Sequence, residues 1–265
     1  LVFAGANERH DWDYLTKLAP KDGSVQLQKI TTQMGVLVLA GPKSREVLQK
    51  ITDTDLSNES FKWLTGKSIN VGYAQAEALR VNFVGELGWE LHHPIEMQNY
   101  IFDELIKAGA EFDIKPFGIR AMDCMRLEKS YRLIPREMSI EYSALESGLD
   151  RFVKLDKDCD FVGKAGLKAW QERGFDNTFV TLEVHDVTDA DARGSEGLYS
   201  HGDLVGRATS GGFGFRVNKS LALGLVKTAF AAEGTELEIE ILGQKHRATV
   251  VAESAFDPDN NALRS

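Results

Sequence analysis

Cysteine is nearly absent: Cys124 and Cys159 are the only two in 265 residues. That is too few for a disulfide framework, and neither sits at metal-ligand spacing, so no metal centre is expected. A reduced compartment follows, cytoplasmic or, in a eukaryote, the mitochondrial matrix. Basic residues are outnumbered, 31 Lys and Arg against 40 Asp and Glu, for a net charge of -9, and they form no block. Nucleic acid and membrane surfaces are therefore poor partners, and a small molecule is the expected one. No apolar run approaches the roughly 20 residues that cross a bilayer. No leader-like stretch is seen, and Leu1 is not an initiator methionine. The chain reads as a piece of something longer, opening as if mid-strand. What is present is 43% hydrophobic residues over 265, enough for one large domain or two ordinary ones with a real core.

The most informative stretch is Phe83-Val84-Gly85-Glu86-Leu87-Gly88-Trp89-Glu90-Leu91-His92. Leu79, Val81 and Phe83 alternate with polar residues at the period of a half-buried strand, and Leu87, Trp89 and Leu91 resume the alternation after Gly85. Glu90 then projects opposite Trp89 and Leu91. Either it faces water, the simpler reading of the pattern, or it faces a cavity that needs an acceptor. Gly88, on the face of Glu90, would leave that face open to a flat ligand.

Before this stretch, residues 8–19 pattern as a short amphipathic helix ended by Pro20, and Val25 to Ile30 and Gly35 to Ala40 as strands. A helix follows from Lys43 to about Ile51, then two strands around Gly72. Pro94 to Ala108 is an amphipathic helix. This succession favours an antiparallel sheet covered by helices over a parallel array. In the helical stretch 118–133, Arg120, Asp123, Arg126 and Glu128 are spaced either as a surface ladder of ion pairs or as binding groups. Cys124 reads as a packed helix cysteine rather than a nucleophile, because no histidine lies near it in sequence.

From Phe152 the texture changes. After a short helix (Lys164 to Gln171) come six candidate strands: 178–184, 197–200, 204–208, 223–227, 236–241 and 246–251. They suffice for a small barrel or sandwich. The run from Gly206 to Gly214 interrupts this array and marks a place where backbone passes close to another surface. It has neither the ending nor the following helix of a phosphate loop.

Four segments carry a resemblance: Gly85-Glu86-Leu87-Gly88-Trp89-Glu90-Leu91, Ala121-Met122-Asp123 through Lys129, Phe161-Val162-Gly163-Lys164, and Thr209-Ser210-Gly211-Gly212. Their order resembles the glycine-cleavage T-protein (aminomethyltransferase) superfamily over nearly the whole chain. Lys219-Ser220-Leu221-Ala222-Leu223-Gly224 and the ending from Phe256 make it most similar to the C-terminal folate-binding region of dimethylglycine and sarcosine dehydrogenases. The resemblance implies an α+β fold: a ferredoxin-like antiparallel sheet with helices, over 1–152 and lacking its N-terminal part, followed by a C-terminal β-barrel over 153–265.

The resemblance also implies a ligand, tetrahydrofolate, with its pteridine beside Glu90. An ionised carboxylate can accept two parallel N–H bonds from such a ring edge. The implied folate-binding residues are Glu90, Phe83, Trp89, Arg126 and Gly211. The glycines of Arg207 to Gly214 further suggest that this run lies against the first unit and helps to close the cleft, with an ordinary barrel turn as the alternative. Phe83 stands where related chains often carry tyrosine, and Met122 where the stand-alone T-protein has an arginine that helps hold the folate tail. The implied chemistry is capture of an iminium or formaldehyde unit as 5,10-methylenetetrahydrofolate, after a flavin domain, with FAD, oxidises an N-methyl amine. That domain and the assisting aspartate would lie upstream of Leu1, leaving the catalytic residue unassigned and the fragment inactive alone. Two alternatives stand beside this reading: a stand-alone folate-dependent aminomethyltransferase or demethylase, and a non-catalytic regulatory relative. The sequence leaves the one-carbon donor and the oligomeric state open.

Overall fold

The computed structural model describes residues 1–265. In chain order the first unit comprises α1 (Glu8–Leu18), β1 (Met34–Ala40), α2 (Ser44–Gln49), β2 (Gly66–Val71), β3 (Ala74–Leu79), β4 (Gly88–Pro94), α3 (Gln98–Gly109) and α4 (Ile119–Glu128). After α5 (Lys164–Arg173) come β5 (Asn177–Val184), β6 (Gly197–Ser200), β7 (Asp203–Gly214), β8 (Lys219–Lys227), β9 (Glu236–Ile241), β10 (Gln244–Val251) and a last helical turn, α6 (Asn261–Arg264). No helix is long and apolar enough to cross a membrane.

The first four strands form an antiparallel sheet in the order β1-β4-β3-β2. Registers Leu39↔Trp89, Leu37↔Leu91, Ala78↔Leu91 and Ile69↔Ala76 gather the apolar residues on one face. There they meet Val47 and Leu48 of α2 and Ile101 and Leu105 of α3 in one core. Alternation in each strand leaves Val38, Glu90 and Leu79 side by side on the other face. The remaining six strands close into a barrel, β10-β5-β8-β7-β6-β9, with its own core that includes Leu182, Leu198, Ala222, Val226, Ile239 and Val250. The chain is thus α+β, a helix-covered antiparallel sheet followed by a closed barrel, as the resemblance implies.

Three local expectations are corrected. Val25 to Ile30 is exposed coil, because β1 pairs only with β4 and offers this segment no partner. Gly206 to Gly214 is part of the long strand β7 rather than a break in the array, with a bulge between Ala208 and Ser210. Its glycines are small because other chain lies against them: a Cβ on Gly206 would stand 2.4 Å from the Leu225 carbonyl oxygen, and one on Gly211 2.5 Å from that of Ala192. The charged positions of α4 are not all a surface ladder either, since Arg126 is 0% and Glu128 1% exposed.

Those buried charges join the two units. Arg126 donates to Asp123 (2.7 Å), the Tyr131 carbonyl (2.9 Å), Glu137 (3.4 Å) and the Ser210 hydroxyl of β7 (2.7 Å). Glu137, itself wholly buried, also accepts from Thr209 (2.6 Å), Ser210 (2.6 Å) and the Leu133 amide (2.8 Å). Residues 252–265 then return from the barrel to the first unit: the Phe256 amide donates to the Glu128 carbonyl, and Arg264 lies 4.9 Å from the Trp63 ring.

Two measurements test this packing. Arg126→Met leaves Glu137 buried without its cation and is expected to cost about 3–5 kcal/mol in urea unfolding. Gly211→Val is expected to lower the melting temperature by roughly 2–12 °C, from about 1–3 kcal/mol of overpacking against backbone. Gly212→Ala, whose Cβ would meet only a Leu127 methyl at 3.3 Å, is expected to be tolerated.

Candidate functional site

The site is built around the loop from Arg80 to Leu87 that joins β3 to β4. Asn82 organises it: its Oδ1 accepts from the amides of Val84 (3.0 Å), Gly85 (3.0 Å) and Glu86 (3.4 Å), an arrangement asparagine favours in turns. Gly85 has φ +77°, and a Cβ there would stand 2.5 Å from Cγ of Lys129, so glycine is required both for the turn and for the contact. Gly88 begins β4 where a Cβ would lie 2.4 Å from the Leu39 carbonyl oxygen. Its small size thus lets β1 approach; the space is filled by backbone and Asn82 rather than left open for a ligand. From there the strand period carries Glu90 to the face away from the core.

Phe83 separates two cavities. One, of about 410 Å³, is lined mainly by apolar groups, among them Val38, Phe83, Phe102, Phe117 and Met122, with the Glu90 carboxylate on its wall. Both its size and its lining are those of a small-molecule site. Glu90 is 27% exposed at the side chain, and its Oε2 lies 3.2 Å from Nε2 of His92, its one protein partner. Its remaining acceptor capacity is free for a ligand. The second cavity, of about 560 Å³, has Trp63, Tyr131, Arg151, Phe152 and Arg264 on its walls. Phe83 and Tyr131 stack between them, ring centroids 5.7 Å apart. Burial raises the Tyr131 hydroxyl pKa above its ordinary value, and burial likewise depresses that of the neighbouring Lys129 ammonium.

Of the five residues singled out as folate contacts, the structure brings together Phe83 and Glu90. Trp89 is wholly buried in the sheet core, its ring against Phe61 and its indole N–H without an acceptor. It points the opposite way from Glu90, as neighbours in a strand must, and reaches neither cavity. Arg126 is occupied by the interdomain network. Gly211 lines a third cavity, of about 360 Å³, with Arg120, Asp123 and Cys124, rather than the cleft of Glu90. Phe102, Phe117 and Tyr131 join the walls from segments distant in sequence, and no local pattern announces them. Tyr131 leaves the helical face because α4 ends at Glu128 and Ser130 takes φ +54°.

The carboxylates Asp53, Asp55 and Asp123 line neither of the two cavities beside Phe83. Asp55 sits in an exposed turn, its pKa lowered by hydrogen bonds from Ser60 and Ser57, and Asp123 is paired with Arg126. The Cys124 thiol pKa is raised, first by burial and then by Asp123, which disfavours a thiolate. No group of three or more His, Cys, Asp or Glu side chains comes together as a metal site would require.

Comparison with known proteins gives this geometry a family. Residues 1–157 match the model described as the GCVT N-terminal domain, and residues 177–257 the glycine cleavage T-protein C-terminal barrel domain. Human mitochondrial dimethylglycine dehydrogenase is 38% identical over 267 residues, which cover 100% of this chain and 31% of that protein. Mouse mitochondrial sarcosine dehydrogenase is 32% identical, with 100% and 29% covered. An aminomethyltransferase of Geobacillus sp. (strain WCH70) is 33% identical, with 95% of this chain and 68% of the enzyme covered. The crystal structure of glycine cleavage system aminomethyltransferase T from Bartonella henselae superposes with a TM-score of 0.81 over 95% of this chain and 67% of that one, at 23% identity. The chain therefore spans less than a third of the length of the two dehydrogenases it resembles. Matched by both domain models in the order in which its sheet and barrel follow one another, the chain belongs to the glycine cleavage T-protein family.

Proposed function

We propose that this chain is the tetrahydrofolate-binding, one-carbon transfer region of a flavin-linked N-methyl amine dehydrogenase of the dimethylglycine or sarcosine type. The observation that carries the reading is the Glu90 carboxylate, with acceptor capacity to spare, on the wall of an aromatic-sided apolar cavity. A pteridine is flat, largely apolar on its faces and edged with adjacent N–H donors. Phe83, Phe102 and Phe117 supply faces and Glu90 supplies the acceptor, and beside a mainly apolar lining such a charged hydrogen bond gives orientation as well as affinity. Bound folate would supply the nitrogen nucleophile; the residues of this chain bind and orient it. FAD belongs to a further flavin-bearing part of the parent protein, which also forms the one-carbon unit, and the chain described here binds folate without oxidising an amine. The relatives named as mitochondrial support the mitochondrial matrix as the location in a eukaryote.

A stand-alone aminomethyltransferase is the second reading, supported by the 33% identity over 68% of such an enzyme. Met122 weighs against it. Met122 lines the Glu90 cavity as an apolar group, at the position where the resemblance implies an arginine for the folate tail in the stand-alone protein.

Glu90→Gln keeps the shape and removes the charge, and is expected to weaken binding of 5-formyltetrahydrofolate by about 1.5–3 kcal/mol in calorimetric titration. Unchanged affinity in a folded variant would remove Glu90 from the site. Covalent chemistry at Cys124 is no part of the reading: iodoacetamide at pH 7.5 is expected to modify exposed Cys159 well before half-buried Cys124. Preferential labelling of Cys124 would reopen the question of a nucleophile.

A further inference from the structure

We infer that Arg216, in the turn between β7 and β8, is a positioning residue for the folate cleft: it clamps the loop that carries Phe83. The inference rests on the folate reading of the Glu90 cavity and extends it to a residue of the other unit. Arg216 uses its whole guanidinium. Its Nη1 donates to Oε1 of Glu86 at 2.7 Å, its Nε to Oε2 of Glu128, and its Nη2 to the Met125 carbonyl at 2.8 Å. The guanidinium carbon also lies 3.9 Å from the centre of the Phe256 ring. The Arg216 amide donates to Oε1 of Glu128 at 2.6 Å, so backbone and side chain grip one carboxylate. One barrel residue thus ties together the β3–β4 loop, the end of α4 and the returning C-terminal segment.

The consequence reaches Phe83 because the loop between Asn82 and Glu86 is stiff. Asn82 accepts from three successive amides ending at Glu86, and Gly85 lies on the aliphatic stem of Lys129. Glu86 therefore cannot shift without displacing Phe83, three residues earlier. Phe83 is the one residue that lines both the Glu90 cavity and the cavity of Tyr131. A clamp on Glu86 orders this shared wall before a ligand arrives, so binding does not have to order it.

Glu86→Gln is the primary test, since it removes the charge from the loop end of the clamp and leaves Arg216 paired with Glu128. Hydrogen exchange of the 265-residue chain is expected to rise several-fold at residues 82–87 and to stay unchanged in β4 and in the barrel. Affinity for 5-formyltetrahydrofolate is expected to fall about fivefold, the scale of a loop that must be ordered on binding. Arg216→Lys, which retains one charge but cannot span both carboxylates, is expected to raise loop exchange and weaken binding at least as much as Glu86→Gln. Unchanged loop exchange would overturn the clamp. Faster loop exchange with unchanged affinity would overturn the positioning role, as would exchange that rises uniformly through the chain. Glu90→Gln serves as the reference: unaltered affinity there removes Glu90 from the site, whereas failure of the wild-type chain to bind 5-formyltetrahydrofolate defeats the folate reading, and in either case loop exchange still decides the clamp.

Discussion

A buried guanidinium has to be neutralised and fully hydrogen-bonded, and this requirement at Arg126 governs how the two units of the protein meet. Its partners come from α4 itself, from the segment after it and from β7, so the charge is satisfied only when helix, connection and barrel stand in one arrangement. Glu137 imposes the same condition from the other side, accepting from Thr209 and Ser210 of the barrel. Apolar surface alone would tolerate some sliding between sheet and barrel; directional bonds to buried charges tolerate little.

That arrangement makes α4 the element through which the site is assembled. Met122 lines the Glu90 cavity, Leu127 packs with Phe179 and Leu223 of the barrel, and Glu128 holds Arg216. Lys129, just past the helix, supports Gly85 and donates to the Phe256 carbonyl at 3.1 Å. Small residues allow these surfaces to approach. Gly85 admits the lysine stem, Gly88 the backbone of β1, and Gly214, whose Cβ would lie 2.9 Å from Cγ of Glu128, brings β7 onto the helix. The cavity around Glu90 is then shaped by the sheet, α3, the approach to α4 and the β3–β4 loop at once. Most of its lining is apolar, which gives a carboxylate with acceptor capacity to spare at its wall the power to orient a ligand.

Much of this architecture was legible in the chain. Alternation places Leu37, Leu39, Trp89 and Leu91 on one sheet face and Glu90 on the other, and the short strands after residue 176, whose spacing suited either a barrel or a sandwich, close into the barrel that the resemblance implied. Local periodicity determines such features, because a strand residue must point opposite to its neighbours. Strand pairing was less accessible. Val25 to Ile30 has the composition of a strand but no partner, and Gly206 to Gly214 has the composition of a break yet pairs along its length with β8. Whether a segment is a strand depends on the edge available to it, and that edge is brought up from elsewhere in the chain.

The same division holds for the site. The sequence by itself determined the turn at Gly85, the side of the strand on which Glu90 stands and, through its ordered motifs, the family. Only the tertiary structure decided that Trp89 is core, that Arg126 joins the two units and that Gly211 faces Ala192 rather than the cleft. Only it brought Phe102, Phe117 and Tyr131 to the walls and Arg216 to Glu86, 130 positions away. The physical reason is that orientation about a strand or helix is a local property of the backbone. The partner that a buried charge or an aromatic ring finds is set by which distant surfaces can close around it without leaving a polar group unpaired.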